Sequence, residues 1–462
     1  MAIIDNPKTL QLNDIQGILT RGYAKHSQTA YWQIKIHSAQ DAKNWMKEIA
    51  PLIDSADHTL KKQDILHLAF AVNGLRALGL DEENIANFPV PFREGISTPN
   101  RNRLLGDFGQ NDPKNWRWGA DNDEHLVLVF HSIDQESMLA FLNEQRTVIA
   151  KYNGLELKNE LRGFTNQERK EPFGFHDGIS QPVIKGCGKK GPENDMIEAG
   201  EFVLGHKNEH GDYPDSPKIS KNQGDLSLLS HGVDLGYNGS FMVFRQMEQH
   251  VEKFWSAMEN HTRNSDGSSN EKAKIKLASK CVGRWPSGAS LVKFPDEDPG
   301  GSDSNDDFGY ADEDPDGLKC PFGSHLRRNN PRDSFRWYDK KQSLKITRRH
   351  RIIRRGRAYL DESESQETGL FFICFNSSIE LQYEFIQHVW SNNNQMRGMT
   401  NDVDVITGVP AEGNPNNIRR QFTIQKEPVN EYVDGLEQFV TIKGGAYYFL
   451  PSISTLNYLT TL

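Results

Sequence analysis

Residues 171–182 read Glu171-Pro172-Phe173-Gly174-Phe175-His176-Asp177-Gly178-Ile179-Ser180-Gln181-Pro182, a stretch that sets one acid between glycine turns and closes on proline. Glycine adopts backbone angles that other residues resist, so a short loop of this kind keeps its shape and lets its amides approach a ligand closely. We therefore expect Asp177 to lie at the rim of a pocket and to take part in its chemistry.

Three further motifs occur in order along the chain. They are Asp14-Ile15-Gln16-Gly17, Cys320-Pro321-Phe322-Gly323-Ser324-His325-Leu326-Arg327-Arg328-Asn329-Asn330-Pro331-Arg332, and Lys443-Gly444-Gly445-Ala446-Tyr447-Tyr448-Phe449-Leu450-Pro451. With the loop around Asp177, these motifs resemble the dye-decolourising peroxidases, and in particular their longer C/D-like subgroup. The resemblance spans nearly the whole chain and implies a haem enzyme with Asp177 on the distal face of the iron.

The composition describes an ordinary soluble protein. A chain of 462 residues exceeds what one hydrophobic core usually serves, so two domains are expected. The net charge of -9 argues against nucleic acid or an anionic membrane as principal partner, and no apolar run is long enough to span a bilayer. Residues 1–7 reach an acid and a proline too soon for a secretory signal, so we expect a cytoplasmic protein.

Hydrophobic periodicity in the first third of the chain predicts one supersecondary unit. Apolar or alternating runs predict strands at 31–37, 65–72, 126–131 and 155–161, and amphipathic stretches predict helices at 39–53 and 135–152. Strand, helix, strand, strand, helix, strand is the order of a ferredoxin-like unit, an antiparallel sheet covered on one face by two helices.

The pattern recurs more weakly further on, with strands at 240–245, 369–375 and 439–442 and helices at 248–259 and 379–389. We predict an α+β fold of two ferredoxin-like modules whose antiparallel sheets enclose a haem pocket, as the resemblance implies. Residues 1–165 would form the N-terminal domain. Residues 166–462 would form the haem-binding domain, with a long insertion at about 260–357.

An acidic tract at 296–317 lies in this insertion and offers oxygen ligands that suit calcium. The EF-hand spacing of acids and glycine is absent, so a solvated loop is the favoured interpretation. The four cysteines form no C-x-x-C pair, and we expect reduced, buried thiols.

His325 follows a turn and opens a basic segment. By its residue type alone it would be a structural histidine. The resemblance makes it the axial ligand, and thus the metal ligand, because one neutral imidazole on iron leaves the opposite face open for peroxide.

Arg354 matches the distal arginine of the family. The chain departs from the family pattern downstream, where Ala358, Tyr359 and Leu360 stand, so Arg355 is the alternative. In the chemistry that the resemblance implies, Asp177 moves a proton between the two peroxide oxygens and Arg354 stabilises charge on the departing one. His176 is a rival base. Neighbouring side chains of an extended loop point apart, however, so we expect His176 to face solvent or to border an access channel.

Further residues are assigned to haem by the same resemblance. Asp404 would accept the other N–H of His325, although Asp402 competes for this role. Arg332 would meet a haem propionate, helped by backbone amides. Leu370 and Phe372, two apart on one strand, would cover the distal pocket or simply pack in the core. The amides that would assist Arg332 are those of Ile179, Ser180 and Gln181.

Trp337, Tyr338, Tyr359 and Trp390 are candidates for relaying oxidising equivalents to substrates too bulky for the pocket. Aromatic residues in such numbers are more often core or surface anchors. The relay would be refuted if substitutions of Trp337 and Tyr338 left the turnover of large dyes unchanged.

The resemblance thus implies a peroxidase with one haem b per chain, either a monomer or a homo-oligomer. It would reduce hydrogen peroxide through an oxyferryl intermediate and oxidise phenols, aromatic amines or dyes. The alternatives are a haem-binding or iron-release protein with incidental peroxidase activity, and a cofactor-free polyanion-binding protein that uses the basic run 348–357.

Overall fold

The computed structural model describes residues 3–4, 8–57, 62–300, 306–335, 338–361, 366–409 and 420–462. In this part of the chain, eight antiparallel strands form a closed ring. They are β1 (Gln28–Ile36), β2 (Asp64–Phe70), β3 (Leu126–Ser132), β4 (Leu155–Phe164), β5 (Ser240–Gln249), β6 (Arg357–Leu360), β7 (Thr368–Asn376) and β8 (Val440–Leu450).

The ring contains two sheets with the same strand order. The first half is ordered β4-β1-β3-β2 and the second half β8-β5-β7-β6. The halves meet where Phe70 pairs with Phe449 and where Ala358 pairs with Phe164. This is the predicted α+β architecture of two antiparallel, ferredoxin-like sheets. The domain boundary at residue 165 stays a prediction, because strand pairing runs on from one half to the other.

Each half has the predicted pair of helical segments. Helix α1 (Ala39–Ile49) joins β1 to β2, and α2 (Gln135–Ile149) joins β3 to β4. Helix α3 (Val251–Asn260) follows β5, and two π-helical segments, Glu380–Glu384 and Ile386–Ser391, lie between β7 and β8. Helix α1 ends before residue 53 because Pro51 introduces a 3₁₀ turn.

Most strands are buried on both faces, which explains their nearly continuous apolar sequence, whereas β4 is partly exposed along its length. Trp32 of β1 faces the helices and packs on Phe130 with ring centroids 5.0 Å apart. Its neighbour Tyr31 faces the ring interior and packs on Phe244 of the other half at 4.8 Å. Alternation along a strand thus supplies one core under the helices and a second core inside the ring.

The insertion after α3 carries helices Glu271–Val282, Tyr310–Glu313, His325–Asn329 and Lys340–Arg349. Other short helices are Val72–Leu78, Glu82–Ile85, Val90–Glu94, Pro99–Leu105 and Ile453–Leu459. Within the residues described, no helix is long and apolar enough to cross a membrane. The N-terminal segment on which the cytoplasmic expectation rests, residues 1–7, lies partly outside the described residues, at 1–2 and 5–7.

The acidic tract is only partly solvated, which corrects the expectation of a solvated loop. Asp314 is buried and accepts a hydrogen bond from Arg327 Nη1 at 2.7 Å, whereas Asp312 pairs on the surface with Lys340. Residues 301–305 of the tract lie outside the described residues. Among the described residues, no cluster of three or more acids, histidines or cysteines is placed to hold a metal ion. All four cysteines are buried, and none of them is in a disulfide.

Candidate active site

A cavity lies between the outer face of the second sheet and the insertion. Leu370 and Phe372 of β7 line it, while Phe371 between them packs inside the ring against Phe244. Asp177, His325 and other predicted site residues line the same cavity, whose volume is about 250 Å³. The alternation along β7 therefore supplies an apolar wall to a cavity whose other walls carry charged groups.

His325 is the first residue of a five-residue helix, His325–Asn329, whose position is fixed by two buried arginines. Arg327 Nη1 donates to Asp314 Oδ2 at 2.7 Å, and Arg328 Nη1 donates to the Trp390 carbonyl at 2.9 Å. A helix this short has little stability of its own, so these anchors hold the imidazole in place. The His325 side chain is 24% exposed.

The carboxylate of Asp404 lies within hydrogen-bonding distance of Nδ1 of the His325 imidazole. Its Oδ2 and Oδ1 atoms lie 2.9 and 3.0 Å from His325 Nδ1. They also accept the backbone N–H groups of Ile406 and Thr407 and an amide N–H of Asn329. Burial alone would raise the pKa of Asp404, but the imidazole and these hydrogen bonds lower it to about 2.

An ionised Asp404 therefore takes the Nδ1–H hydrogen bond and leaves Nε2 of His325 as a free ligand atom. The competing acid, Asp402, instead accepts the backbone N–H of Thr423 at 2.7 Å. The structure thus brings Asp404, and not Asp402, to the imidazole.

Arg354 lies on the cavity and Arg355 does not. Arg354 Nη2 donates to the Ile179 carbonyl at 2.9 Å, and its backbone N–H donates to Gln181 Oε1 at 3.1 Å. The guanidinium of Arg355 turns to the opposite side and donates to the carbonyls of Ile18 and Leu19. Since successive side chains of a strand alternate, only one of the two arginines can line this cavity.

Asp177 lies in a loop that lines the cavity, and it is exposed. Its Oδ1 accepts the Gly178 N–H at 2.6 Å, and its backbone N–H donates to the Arg169 carbonyl at 2.9 Å. His176 lines the cavity as well, and the direction of its side chain relative to Asp177 stays a prediction. The loop is curled by Gly178 (φ 85°) and by a bridge between Lys170 and His176, and is not extended.

Arg332 lines the cavity and is already paired within the protein. Its Nη2 donates to Ser180 Oγ at 2.9 Å and to a carboxylate oxygen of Asp306, which Arg284 also contacts. The second carboxylate oxygen, Asp306 Oδ2, is buried and has no hydrogen-bond partner among the described residues. The sequence analysis missed Asp306 and Arg284, because Asp306 falls in the acidic tract and resembles any solvated acid.

The segment 179–181 contributes unevenly to the cavity. Ser180 lines it, but Ile179 and Gln181 do not. In the described part of the chain, the backbone N–H groups of all three residues donate to no protein acceptor. These amides therefore remain available to an anionic group at the cavity edge.

Three of the four relay candidates lie among the described residues. Trp390 is buried against Phe385, and Tyr359 is buried with its hydroxyl donating to Glu367 Oε1 at 2.7 Å. Tyr338 is 52% exposed, and Trp337 lies outside the described residues.

His350 and Glu171 also line the cavity and have shifted pKa values, and neither was predicted as a site residue. Burial lowers the pKa of His350, which stacks on Phe385 with centroids 3.8 Å apart, to about 4. Burial also raises the pKa of Glu171 to about 7. Neither residue stands in a sequence pattern that marks it as ionisable inside a pocket.

The donor set of the cavity fits an iron porphyrin. One imidazole nitrogen is free while the other is held by a carboxylate, which is how proteins present an axial histidine. Apolar side chains such as Leu370 and Phe372 line the cavity, and Ser180 and Arg332 also line it and offer the N–H donors and the cation that propionates require.

Comparison with known proteins agrees with this geometry. The chain is 27% identical over 481 residues to the dye-decolorizing peroxidase msp1 of Mycetinis scorodonius, covering 97% of this chain and 87% of that protein. It is 30% identical over 332 residues to the multifunctional dye peroxidase DyP2 of Amycolatopsis sp., covering 68% and 65%. No protein-family model matches the chain.

A solved structure of an ancestral D-type dye-decolorizing peroxidase has a TM-score of 0.78 and 25% sequence identity, and covers 98% of this chain and 100% of that chain. Similarity of this extent in both sequence and fold means that the chain belongs to the dye-decolourising peroxidase family, whose members depend on haem.

Proposed function

We propose that this peroxidase holds one haem b per chain between His325 and the pair Asp177 and Arg354. It reduces hydrogen peroxide there and oxidises phenols, aromatic amines or dyes. The observation that carries the proposal is the hydrogen bond of His325 Nδ1 to the ionised Asp404, on the wall of a cavity that Asp177 and Arg354 also line.

When bound, the haem supplies the iron that binds peroxide and stores the oxidising equivalents. His325 would bind it through Nε2, and Asp404 would make the imidazole a stronger donor by accepting a hydrogen bond from its Nδ1–H. Asp177 takes a proton from one peroxide oxygen and returns it to the other, so its carboxylate must be free of strong partners. Arg354 carries a permanent positive charge and stabilises negative charge on the departing oxygen.

The remaining residues orient the cofactor and shape its surroundings. Arg332 and the amides of Ile179, Ser180 and Gln181 hold the propionates. Leu370 and Phe372 would narrow the cavity beside the bound haem, so small peroxides would enter it more readily than bulky dyes.

A haem-carrying or iron-releasing protein is the second candidate, since the same cavity would serve it. The two candidates are separated by rapid mixing of the haem-loaded protein with peroxide. Fast spectral change followed by turnover of a phenol supports the peroxidase, and transfer of haem to an acceptor protein without turnover supports the carrier.

A polyanion-binding role for residues 348–357 has little support, because several of these charges are engaged within the protein. Arg351 pairs with Asp195 at 3.2 Å, and Arg355 donates to backbone carbonyls. A purified protein with a haem absorption band near 400 nm, at roughly one haem per chain, would refute the cofactor-free alternative.

We further propose that residues 1–165 and 166–462 act as separate domains and that the protein works in the cytoplasm as a monomer or homo-oligomer. Limited proteolysis, cell fractionation and light scattering test these three points.

A further inference from the structure

A glutamate closes the base of the loop that carries Asp177. Glu171 is partly buried and lines the cavity, but the peroxidase chemistry derived above assigns it no role. It stands six positions before Asp177, at the start of the turn that precedes it.

The carboxyl of Glu171 binds the backbone of its own loop at two points. Oε2 accepts the Phe173 N–H and Oε1 accepts the Phe175 N–H, both at 2.9 Å. The main chain closes the same turn, because the Glu171 N–H donates to the Phe175 carbonyl and the Gly174 N–H donates to the Glu171 carbonyl. Gly174 has a φ of 97°, so the turn requires a residue that tolerates the left-handed region.

This turn is fixed to the rest of the fold on two sides. Gln249 of β5 donates from Nε2 to Glu171 Oε2 at 2.6 Å. Trp255 of α3 donates from Nε1 to the Phe173 carbonyl at 3.0 Å, and the ring of Phe175 stacks parallel to Trp255. The loop therefore has little freedom as long as the carboxyl keeps its contacts.

Asp177 is two residues beyond Phe175, and its only described backbone anchor is the bond from its N–H to the Arg169 carbonyl. Its side chain has no described partner other than the N–H of Gly178. The turn that Glu171 closes leads directly into His176 and Asp177, and the His176 N–H adds a further anchor by donating to the Pro286 carbonyl at 3.1 Å.

We propose that Glu171 is a positioning residue that holds the Asp177 carboxylate at the peroxide site by fixing the loop at residues 169–178. This inference rests on the proposed function. A displacement of about 1 Å in a catalytic group costs on the order of 100-fold in rate, so a loop hydrogen bond is sufficient to matter.

The surroundings of Glu171 suit an acid that is neutral for part of the time. Burial raises its pKa to about 7, and the nearby charge of Asp177 acts in the same direction. Gln249 Oε1 is buried without a partner in the described structure. If the side-chain amide of Gln249 were rotated by half a turn, Oε1 would accept a hydrogen bond from the neutral carboxyl of Glu171.

The test uses haem-loaded protein with Glu171→Gln, Asp177→Asn and the double variant. Glu201→Gln is the matched control, because Glu201 is a buried glutamate whose pKa is likewise raised to about 7 but which does not line the cavity. Two quantities are measured: the bimolecular rate with peroxide, and the hydrogen exchange of the loop amides. The second requires no activity.

In Glu171→Gln, an NH₂ group replaces one of the two carboxyl oxygens. An N–H donor then faces a backbone N–H, and the hydrogen bond at that point is lost. We expect the exchange of the Phe173 and Phe175 amides to accelerate about 10-fold or more, and the peroxide rate to fall about 10- to 100-fold at unchanged haem content. When Asp177→Asn is already present, Glu171→Gln should lower the peroxide rate by less than about a further 2-fold, because both changes act through the Asp177 carboxylate. Glu201→Gln should change neither quantity.

A wild-type peroxide rate in Glu171→Gln would overturn the inference, and so would rate losses that multiply in the double variant. If Glu171→Gln does not fold, Gln249→Leu replaces it, because this change removes one contact of Glu171 and leaves the turn intact. A smaller loss in the same direction is then expected, and an unchanged rate and loop exchange would contradict the inference. A wild type that binds no haem would refute the proposed function, while the exchange data would still report whether Glu171 holds the loop.

Discussion

The Nδ1 atom of His325 lies 2.9 Å from the Oδ2 atom of Asp404, a carboxylate that is fully buried and also accepts two backbone N–H groups. A buried carboxylate with this many donors is ionised, as its pKa of about 2 indicates. The pair fixes the tautomer of the imidazole and directs its second nitrogen into the cavity.

Asp404→Asn should raise the reduction potential of the haem iron. The amide is a weaker acceptor than the carboxylate, so the imidazole becomes a poorer donor to ferric iron. Spectroelectrochemical titration measures the potential. Asp402→Asn is the control, since Asp402 bonds to Thr423 and not to the imidazole; equal shifts in both variants would contradict the assignment.

Arg354→Leu should slow the reaction with peroxide about 100- to 1,000-fold while haem content stays near that of the wild type, because a preorganised cation is lost where charge develops. Stopped-flow absorbance gives the rate. Arg355→Leu is the paired variant, with its guanidinium on the other side of the strand. An equal loss of rate and haem binding in Arg354→Leu, or a larger rate loss in Arg355→Leu, would count against the distal role.

Glu201 should make the protein less stable as the pH rises through neutrality. It is 3% exposed, and burial raises its pKa to about 7. A group whose pKa is higher in the folded state favours folding below its unfolded pKa of about 4.5, and this contribution is lost as the pH rises through about 7. The difference corresponds to about 3 kcal/mol.

Denaturant unfolding of the wild type and of Glu201→Gln at pH 5 and pH 8 measures this effect. The wild type should lose up to about 3 kcal/mol relative to the variant over that interval. Parallel pH profiles for the two proteins would show that Glu201 does not titrate in this range.

Asp107→Ala should destabilise the fold by about 3–5 kcal/mol, because it leaves Arg245 as an uncompensated buried charge. The two side chains are each 2% exposed, and the Arg245 nitrogens lie 2.6 and 2.9 Å from the Asp107 oxygens. Asp57→Ala removes an ion pair with Lys8 in which both side chains are exposed. It should lower the free energy of unfolding by less than about 1 kcal/mol. Chemical unfolding compares the two, and equal losses would refute the explanation.

Much of the fold follows from local patterns, and the exceptions have physical causes. Strands β1 to β4 were predictable because apolar residues recur along them. Strand β6 was not, since its first residue is Arg357 and the run before it is basic. Its place in the ring depends on pairing with β7 and with β4, and β4 is distant in sequence.

The site divides in the same way. The prediction that Asp177 and His325 belong to one site followed from motifs that resemble a known family, and both residues line the same cavity. The choices between Asp404 and Asp402 and between Arg354 and Arg355 depend on which way each side chain points. Sequence alone left both open. Asp306 was unpredictable, because only folding brings it to Arg284 and Arg332.

The central claim is that His325 binds the haem iron, and the resonance Raman spectrum of the ferrous protein tests it most directly. We predict an iron–histidine stretching band in the wild type, its loss in His325→Gly, and its return when imidazole is added to that variant. An identical band in the wild type and in His325→Gly without imidazole would contradict the account.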